Sequence, residues 1–226
     1  MSLLLLWDID GTLLQRASIE HAQAMWQAIR AVHGDGLRPE DVRGVGAAGR
    51  TDGAIARDTL LALGVDDAAI SREVSAVARA CQAAFEELCP ADMSRFLAPG
   101  IADLLAAIAG DERYRCSLVT GNFESVARLK LARAGIGSYF EPGQGAFGSD
   151  AEDRNELPPL ARARAGDWPR ERAVVIGDTP RDIECARADG LRVVAVTTGP
   201  FDAEALAEAD FVVSGAAELT PLLAHL

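Results

Sequence analysis

One lysine, three histidines and no Cys-x-x-Cys pair are the first things this sequence shows. No uninterrupted apolar run approaches the about 20 residues that cross a bilayer, so a transmembrane helix is excluded. The apolar run Leu3–Trp7 has no basic region ahead of it, so a secretory leader is not expected and the cytoplasm is the expected compartment. His21, His33 and His225 are scattered, which argues against a zinc hydrolase. No serine sits in a Gly-x-Ser-x-Gly context, which removes the α/β-hydrolase nucleophile elbow. Cys81, Cys89, Cys116 and Cys185 lie among apolar or helical residues and read as buried free thiols in a reducing compartment. Basic residues are also short, at 22 Lys plus Arg against 34 Asp plus Glu, for a net charge of −12. Such a surface repels nucleic acid and anionic membranes, and neither is an expected partner. It would repel an anionic substrate too, unless a cation reverses the field locally.

What is present is a foldable chain: 226 residues, 49% apolar and 25% charged, enough for one domain with a sizeable insertion. Short apolar runs (Leu3–Trp7, Cys116–Val119, Ala173–Ile176, Val193–Val196 and Phe211–Val213) alternate with helical patterns. That alternation predicts an α/β fold, a Rossmann-like parallel sheet covered by helices. Between Leu13 and Gly100 the strand pattern stops and only helical periodicity remains. There Ile19, Ala22, Trp26 and Ile29 share one face, and Ile70, Val74, Val77, Cys81, Phe85 and Leu88 form a longer stripe. The expected division is a core of residues 1–15 and 92–226 with an inserted all-α unit over 16–91, the core resuming with a helix over Gly100–Ala109.

Three strand ends carry groups capable of chemistry. In Asp8-Ile9-Asp10-Gly11-Thr12, residues two apart point the same way from an extended chain, so Asp8 and Asp10 project together. Two carboxylates so close need a cation or a shared proton. Gly11 lets the backbone turn, and Thr12 offers a hydroxyl to orient a carboxylate. Thr120-Gly121-Asn122 opens a helix, with Asn122 as the expected N-cap and the helix amides as a place for a phosphate. In Gly177-Asp178-Thr179-Pro180-Arg181-Asp182, Pro180 fits the first helical turn, leaving Asp178 free for a hard cation. Two Gly-x-Gly-x-x-Gly strings, Gly44–Gly49 and Gly143–Gly148, lack the strand–helix context of a dinucleotide site and read as loops. The first, with Arg50, is expected either to face the substrate's non-reacting end from the insert or to be an ordinary loop between helices.

This ordered set resembles the haloacid dehalogenase superfamily, and the helical insert with Gly49-Arg50-Thr51-Asp52 is most similar to its phosphoglycolate-phosphatase-type members. The resemblance implies a Mg²⁺-dependent phosphatase that hydrolyses a small phosphorylated metabolite through an aspartyl-phosphate on Asp8. Asp10 would be the acid and then the base, and Thr120, Gly121 and Asn122 would meet the phosphate. Mg²⁺ would be held by Asp8, the Asp10 carbonyl and Asp178, with Asp182 supporting. The insert would act as a cap, and a monomer or homodimer is expected. The superfamily lysine normally found between the second and third strand ends is missing. Lys130 lies eight residues past Asn122, about 12 Å along a helix at a rise of about 1.5 Å per residue, a poor reach to the phosphate. Arg154 is the expected substitute, and Arg181 the reserve. Asp10 argues against a dehalogenase, which needs no acid for a halide. The alternatives are a phosphomutase of the β-phosphoglucomutase type and a non-catalytic phospho-ligand-binding protein.

Overall fold

Five apolar runs and one short segment come together in a six-stranded sheet. A computed structural model of the chain describes residues 2–226. The strands are β1 (Leu3–Trp7), β2 (Tyr114–Thr120), β3 (Ala146–Phe147), β4 (Ala173–Gly177), β5 (Arg192–Val196) and β6 (Phe211–Val213). All pair parallel, in the order β3-β2-β1-β4-β5-β6. The order reverses between β1 and β4, and open α/β sheets bind ligands outside the strand ends at such a point. The helices are α1 (Ile19–His33), α2 (Asp52–Ala62), α3 (Asp67–Leu88), α4 (Ile101–Ala109), α5 (Glu124–Arg133), α6 (Leu157–Arg164), α7 (Pro180–Ala188) and α8 (Ala216–Leu223).

Both sheet faces are covered, which is why the strands read as unbroken apolar runs rather than alternating ones. Leu3, Leu5 and Trp7 join the core formed with α1, α3, α4, α5 and α8. Leu4 and Leu6 join the opposite core with α6 and α7. From β1 the chain passes into α1–α3 through Leu14 and returns through Leu97, and the two segments run antiparallel, with Gln15 N donating to Phe96 O at 2.7 Å and Ala98 N to Leu13 O at 3.0 Å.

Three local expectations need correction. The buried face of α1 is His21, Ala24, Met25, Ala28 and Ile29, whereas Ile19 is 66% exposed and Ala22 and Trp26 only half-buried. The apolar count misplaced the stripe because it begins on a polar residue, His21. The helix expected from Gly100 starts at Ile101, with Gly100 taking a left-handed φ of 78° ahead of it. The loop expected at Gly143–Gly148 contains β3, held beside Val119–Thr120 because Gly145 (φ 91°) lets the chain pass against Leu118. On α3 the expected stripe holds for Ile70, Val77, Cys81 and Phe85, which are buried, while Val74 and Leu88 are half-buried.

Phe85 is fully buried at the α1–α3 contact, its ring centroid 5.6 Å from that of His21. Replacing it by alanine leaves a cavity between two helices already fixed by their loops. Phe85→Ala is expected to lower unfolding free energy by about 3–5 kcal/mol, measured by urea titration.

Candidate active site

The strand ends do converge. A cavity of about 590 Å³ opens over the carboxyl ends of β1, β2, β4 and β5, and the α1 and α2 regions form its far wall. Asp8, Asp10, Gly121, Asn122, Arg50, Arg154 and Asp178 all line it.

Asp8 follows β1 and is 4% exposed. Arg154, from the turn before α6, donates from one nitrogen to Asp8 Oδ1 at 2.8 Å and to Asp182 Oδ1 at 2.5 Å, and from the other to Gly49 O at 3.1 Å. Arg154 therefore binds the first aspartate. Arg181 is exposed and stands outside the aspartate cluster.

Asp178 is fully buried; Thr12 Oγ1 donates to its Oδ1 at 3.0 Å, while Oδ2 has no partner. A β-carbon on Gly11 would lie 2.1 Å from that oxygen and one on Gly199 1.7 Å, so the carboxylate occupies room that only glycines leave. Asp182 closes a capping box with Thr179 at the start of α7, its Oδ2 accepting from Thr179 N at 2.9 Å and Oγ1 at 2.7 Å. Its Oδ1 accepts from Arg154, as Asp8 Oδ1 does. One carboxylate oxygen each from Asp8, Asp178 and Asp182 lies within 4.8 Å of the others. Burial, then repulsion by Asp8 and Asp182, pushes Asp178 up to about 9. Burial, partly offset by Arg154, pushes Asp8 up to about 7. An oxygen-only cluster with an orphaned buried oxygen fits a hard divalent cation.

The second strand end departs from expectation. Asn122 does not cap α5: its side chain turns into the site, giving Nδ2 to Asp10 Oδ2 at 2.8 Å and to Thr120 Oγ1 at 3.1 Å. The helix starts instead behind Phe123, whose amide donates to Asp52 Oδ2 at 2.7 Å, while Glu124 N donates to Ser149 Oγ at 3.2 Å. An anion from α2 thus takes the place expected for phosphate. Thr120 is fully buried behind Asn122 and does not line the cavity. Gly121 serves close backbone packing, since a β-carbon there would fall 2.0 Å from Arg50 O. The Arg50 guanidinium is held by Asp58 Oδ2 at 2.6 Å.

Lys130 does not line the cavity, yet it reaches the site from behind Asp10. It is fully buried, and Nζ donates to Asp10 Oδ1 at 2.8 Å, Asp10 Oδ2 at 2.6 Å and Asn122 Oδ1 at 2.8 Å. Rise along α5 measures distance from its own first turn, whereas Asp10 lies off the helix flank. Burial alone would raise Asp10, but Lys130, His21 and Asn122 outweigh it and hold the carboxyl below its ordinary value. His21, whose Nδ1 is 3.3 Å from Lys130 Nζ, and Asp52, 3.0 Å from His21 Nε2, complete the group. In the sequence His21 is only one of three scattered histidines, Asp52 appears only within Gly49-Arg50-Thr51-Asp52, and Lys130 is set aside for its reach. A lone lysine on an apolar helix face was the one signal.

A sequence profile of the haloacid dehalogenase-like hydrolases matches residues 5–187. The chain belongs to this family. It is similar to "Probable phosphatase IndB" of Dickeya dadantii, 29% identical over 211 residues, covering 93% of this chain and 87% of that protein. Against a phosphoglycolate phosphatase of Synechococcus elongatus the identity is 37% over 114 residues, half of each chain. A solved structure named "Putative beta-phosphoglucomutase from Bacteroides vulgatus" shares the fold at a TM-score of 0.67 and 24% identity, over 99% of this chain and 88% of that one. No helix among the described residues is long and apolar enough to cross a membrane.

Linkage gives a test of the carboxylate crowding. Folded Asp8 and Asp178 keep protons that the unfolded chain has already released at its ordinary value of 3.8, so their contribution to stability fades as pH climbs through about 7 and about 9. In chelator, the melting temperature is expected to fall from about pH 5 to about pH 9, and saturating Mg²⁺ to flatten that slope, by scanning calorimetry. A melting temperature that rises over this range in chelator contradicts it.

Proposed function

We propose that this chain is a divalent-cation-dependent phosphatase of small phosphorylated metabolites, with Mg²⁺ as the cation. The observation that carries this is the pairing of a buried, Arg154-oriented Asp8 with an unpartnered Asp178 oxygen beside it. Asp8, Asp178 and the main-chain carbonyl of Asp10 would hold the ion, Asp182 supporting from behind through Arg154. Bound there, the ion would offset the repulsion between a phosphate dianion and these carboxylates.

Asp8 attacks phosphorus through one carboxylate oxygen, and the bond from phosphorus to the ester oxygen breaks. Asp10, 28% exposed toward the cavity and ionised at rest beside Lys130, takes a proton from the phosphomonoester monoanion and passes it to the departing alkoxide. Water then attacks the aspartyl-phosphate, Asp10 takes its proton, and the Asp8–phosphorus bond breaks to release inorganic phosphate. Arg154 and Asn122 reach the transferring group, and Thr120 and Gly121 support it from the strand end. Arg50, already paired with Asp58, shapes the far wall. Residues 16–91 form the cap that closes over this chemistry and excludes bulk water.

Passing the phosphoryl group to a sugar instead of water would make a mutase of the same site. That outcome is read by adding β-glucose 1-phosphate and following glucose 6-phosphate. Arg154 on Asp8 weighs against a merely ligand-binding role, since it aligns a nucleophile that binding alone does not need.

Asp8→Asn is expected to abolish phosphate release from a panel of phosphorylated metabolites with Mg²⁺, at least 10³-fold, while the protein still unfolds cooperatively. Release at the wild-type rate by that variant rules the nucleophile out.

A further inference from the structure

Lys130 is fully buried on α5, where its neighbours on the same face are Val126, Ala127 and Leu131. An aliphatic residue would pack there without desolvating an ammonium, which costs several kcal/mol unless every proton finds an acceptor. Here each does. The ammonium has three hydrogens, and three residues accept: Asp10 through both oxygens, Asn122 through Oδ1 at 2.8 Å, and His21 through Nδ1 at 3.3 Å. Asn122 closes the triangle by donating to Asp10 Oδ2 at 2.8 Å. The Asp10 carboxylate is therefore fixed in rotation by two donors behind it, while its open side faces the cavity.

Lys130 does not itself line the cavity; Asp10, Asn122 and His21 do. It stands behind Asp10 and cannot touch a substrate in this arrangement. Two of the groups that seat it belong to the inserted helices. His21 lies on α1, and Asp52, at the start of α2, is 3.0 Å from His21 Nε2. Nε2 of His21 is turned toward the Asp52 carboxylate without an aligned hydrogen bond. Asp52 in turn accepts from Phe123 N of the core at 2.7 Å. The contacts run from the insert, through a histidine and a lysine, to the acid–base carboxylate.

We propose that Lys130 is the positioning residue of Asp10, seated by His21 and Asp52 of the insert, so that protonation of the leaving group is coupled to docking of the insert on the core. This rests on the phosphatase reading above. It adds a second cation with a separate duty: Arg154 serves the nucleophile and Lys130 the proton donor.

The coupling is read from leaving-group dependence. p-Nitrophenolate departs from phosphorus without help, whereas phenolate needs a proton, and kcat/KM covers the steps up to release of the phenol. Wild-type enzyme with Mg²⁺ is compared with Lys130→Met on p-nitrophenyl phosphate and phenyl phosphate. The ratio of the two kcat/KM values is expected to rise at least about tenfold in the variant, because a misplaced Asp10 penalises the poorer leaving group. Asp52→Asn, which loosens the seat from the insert side, raises the ratio by a smaller factor. A purely structural lysine would lower both esters by the same factor, and that result overturns the proposal. If Lys130→Met does not fold, Lys130→Arg and Asp52→Asn carry the test, and an unchanged ratio in both overturns it. Failure of wild-type enzyme to release phosphate from either ester is a different outcome, which overturns the phosphatase reading and this proposal with it.

Discussion

Three carboxylates share the space between the ends of β1 and β4, with oxygens within 4.8 Å of one another and almost no water around them. At an effective dielectric of about 20, two full charges at that distance repel by about 3–4 kcal/mol. The surrounding residues answer this repulsion. Arg154 bridges two of the three carboxylates, Thr12 fixes the third, and glycines at 11, 177 and 199 leave the backbone space they occupy. What stays unanswered is the free oxygen of Asp178. The sheet thus concentrates negative charge where a bound cation would offset it, which would let an acidic protein accept an anionic substrate.

The two motif aspartates, two residues apart, live in different fields. Asp8 meets a guanidinium, whose planar fork can reach Asp182 and Gly49 as well and so ties Asp8 to α7 and to the insert. Asp10 meets an ammonium, a compact donor that places all three hydrogens on separate acceptors. Burial lifts the first aspartate, and cationic neighbours depress the second. A cation held by Asp8 and Asp178 would favour their ionised forms, the state in which Asp8 could act on phosphorus.

Much of this was legible in the linear sequence. The five apolar runs are strands, Thr12 does orient a carboxylate, Pro180 does open α7, and Arg154 does sit on Asp8. These features are local, or follow from the rule that parallel strands end together. What stayed hidden depends on contacts between residues far apart in the chain. β3 is two residues long and is defined by its neighbour rather than by its own pattern. The buried stripe of α1 begins on His21, a polar residue buried only because Lys130 and Asp52 lie on either side of it. Asn122 has the composition of a cap but is drawn off by Asp10 and Lys130, and the vacancy is filled by Asp52 from 71 residues away. Spacing along one helix could not show that Lys130 faces a neighbouring loop.

Part of the seam between insert and core is main chain packed on main chain. Asp52 N donates to Gly121 O at 2.7 Å, a β-carbon on Gly121 would fall 2.0 Å from Arg50 O across the seam, and one on Gly148 would fall 2.0 Å from Gly121 O and 3.2 Å from Asp52 N. Any side chain at 121 or 148 would act as a spacer wedged into the joint, so both positions are closed to substitution while the two parts meet in this register. Ala47, Ala48 and Ile55, on the insert side of the cavity, carry no such restriction. Diversification of what the pocket accepts can therefore proceed on that wall while the joint beneath it stays constant, a separation of tolerance from fit that is written in two hydrogen atoms where other residues carry a carbon.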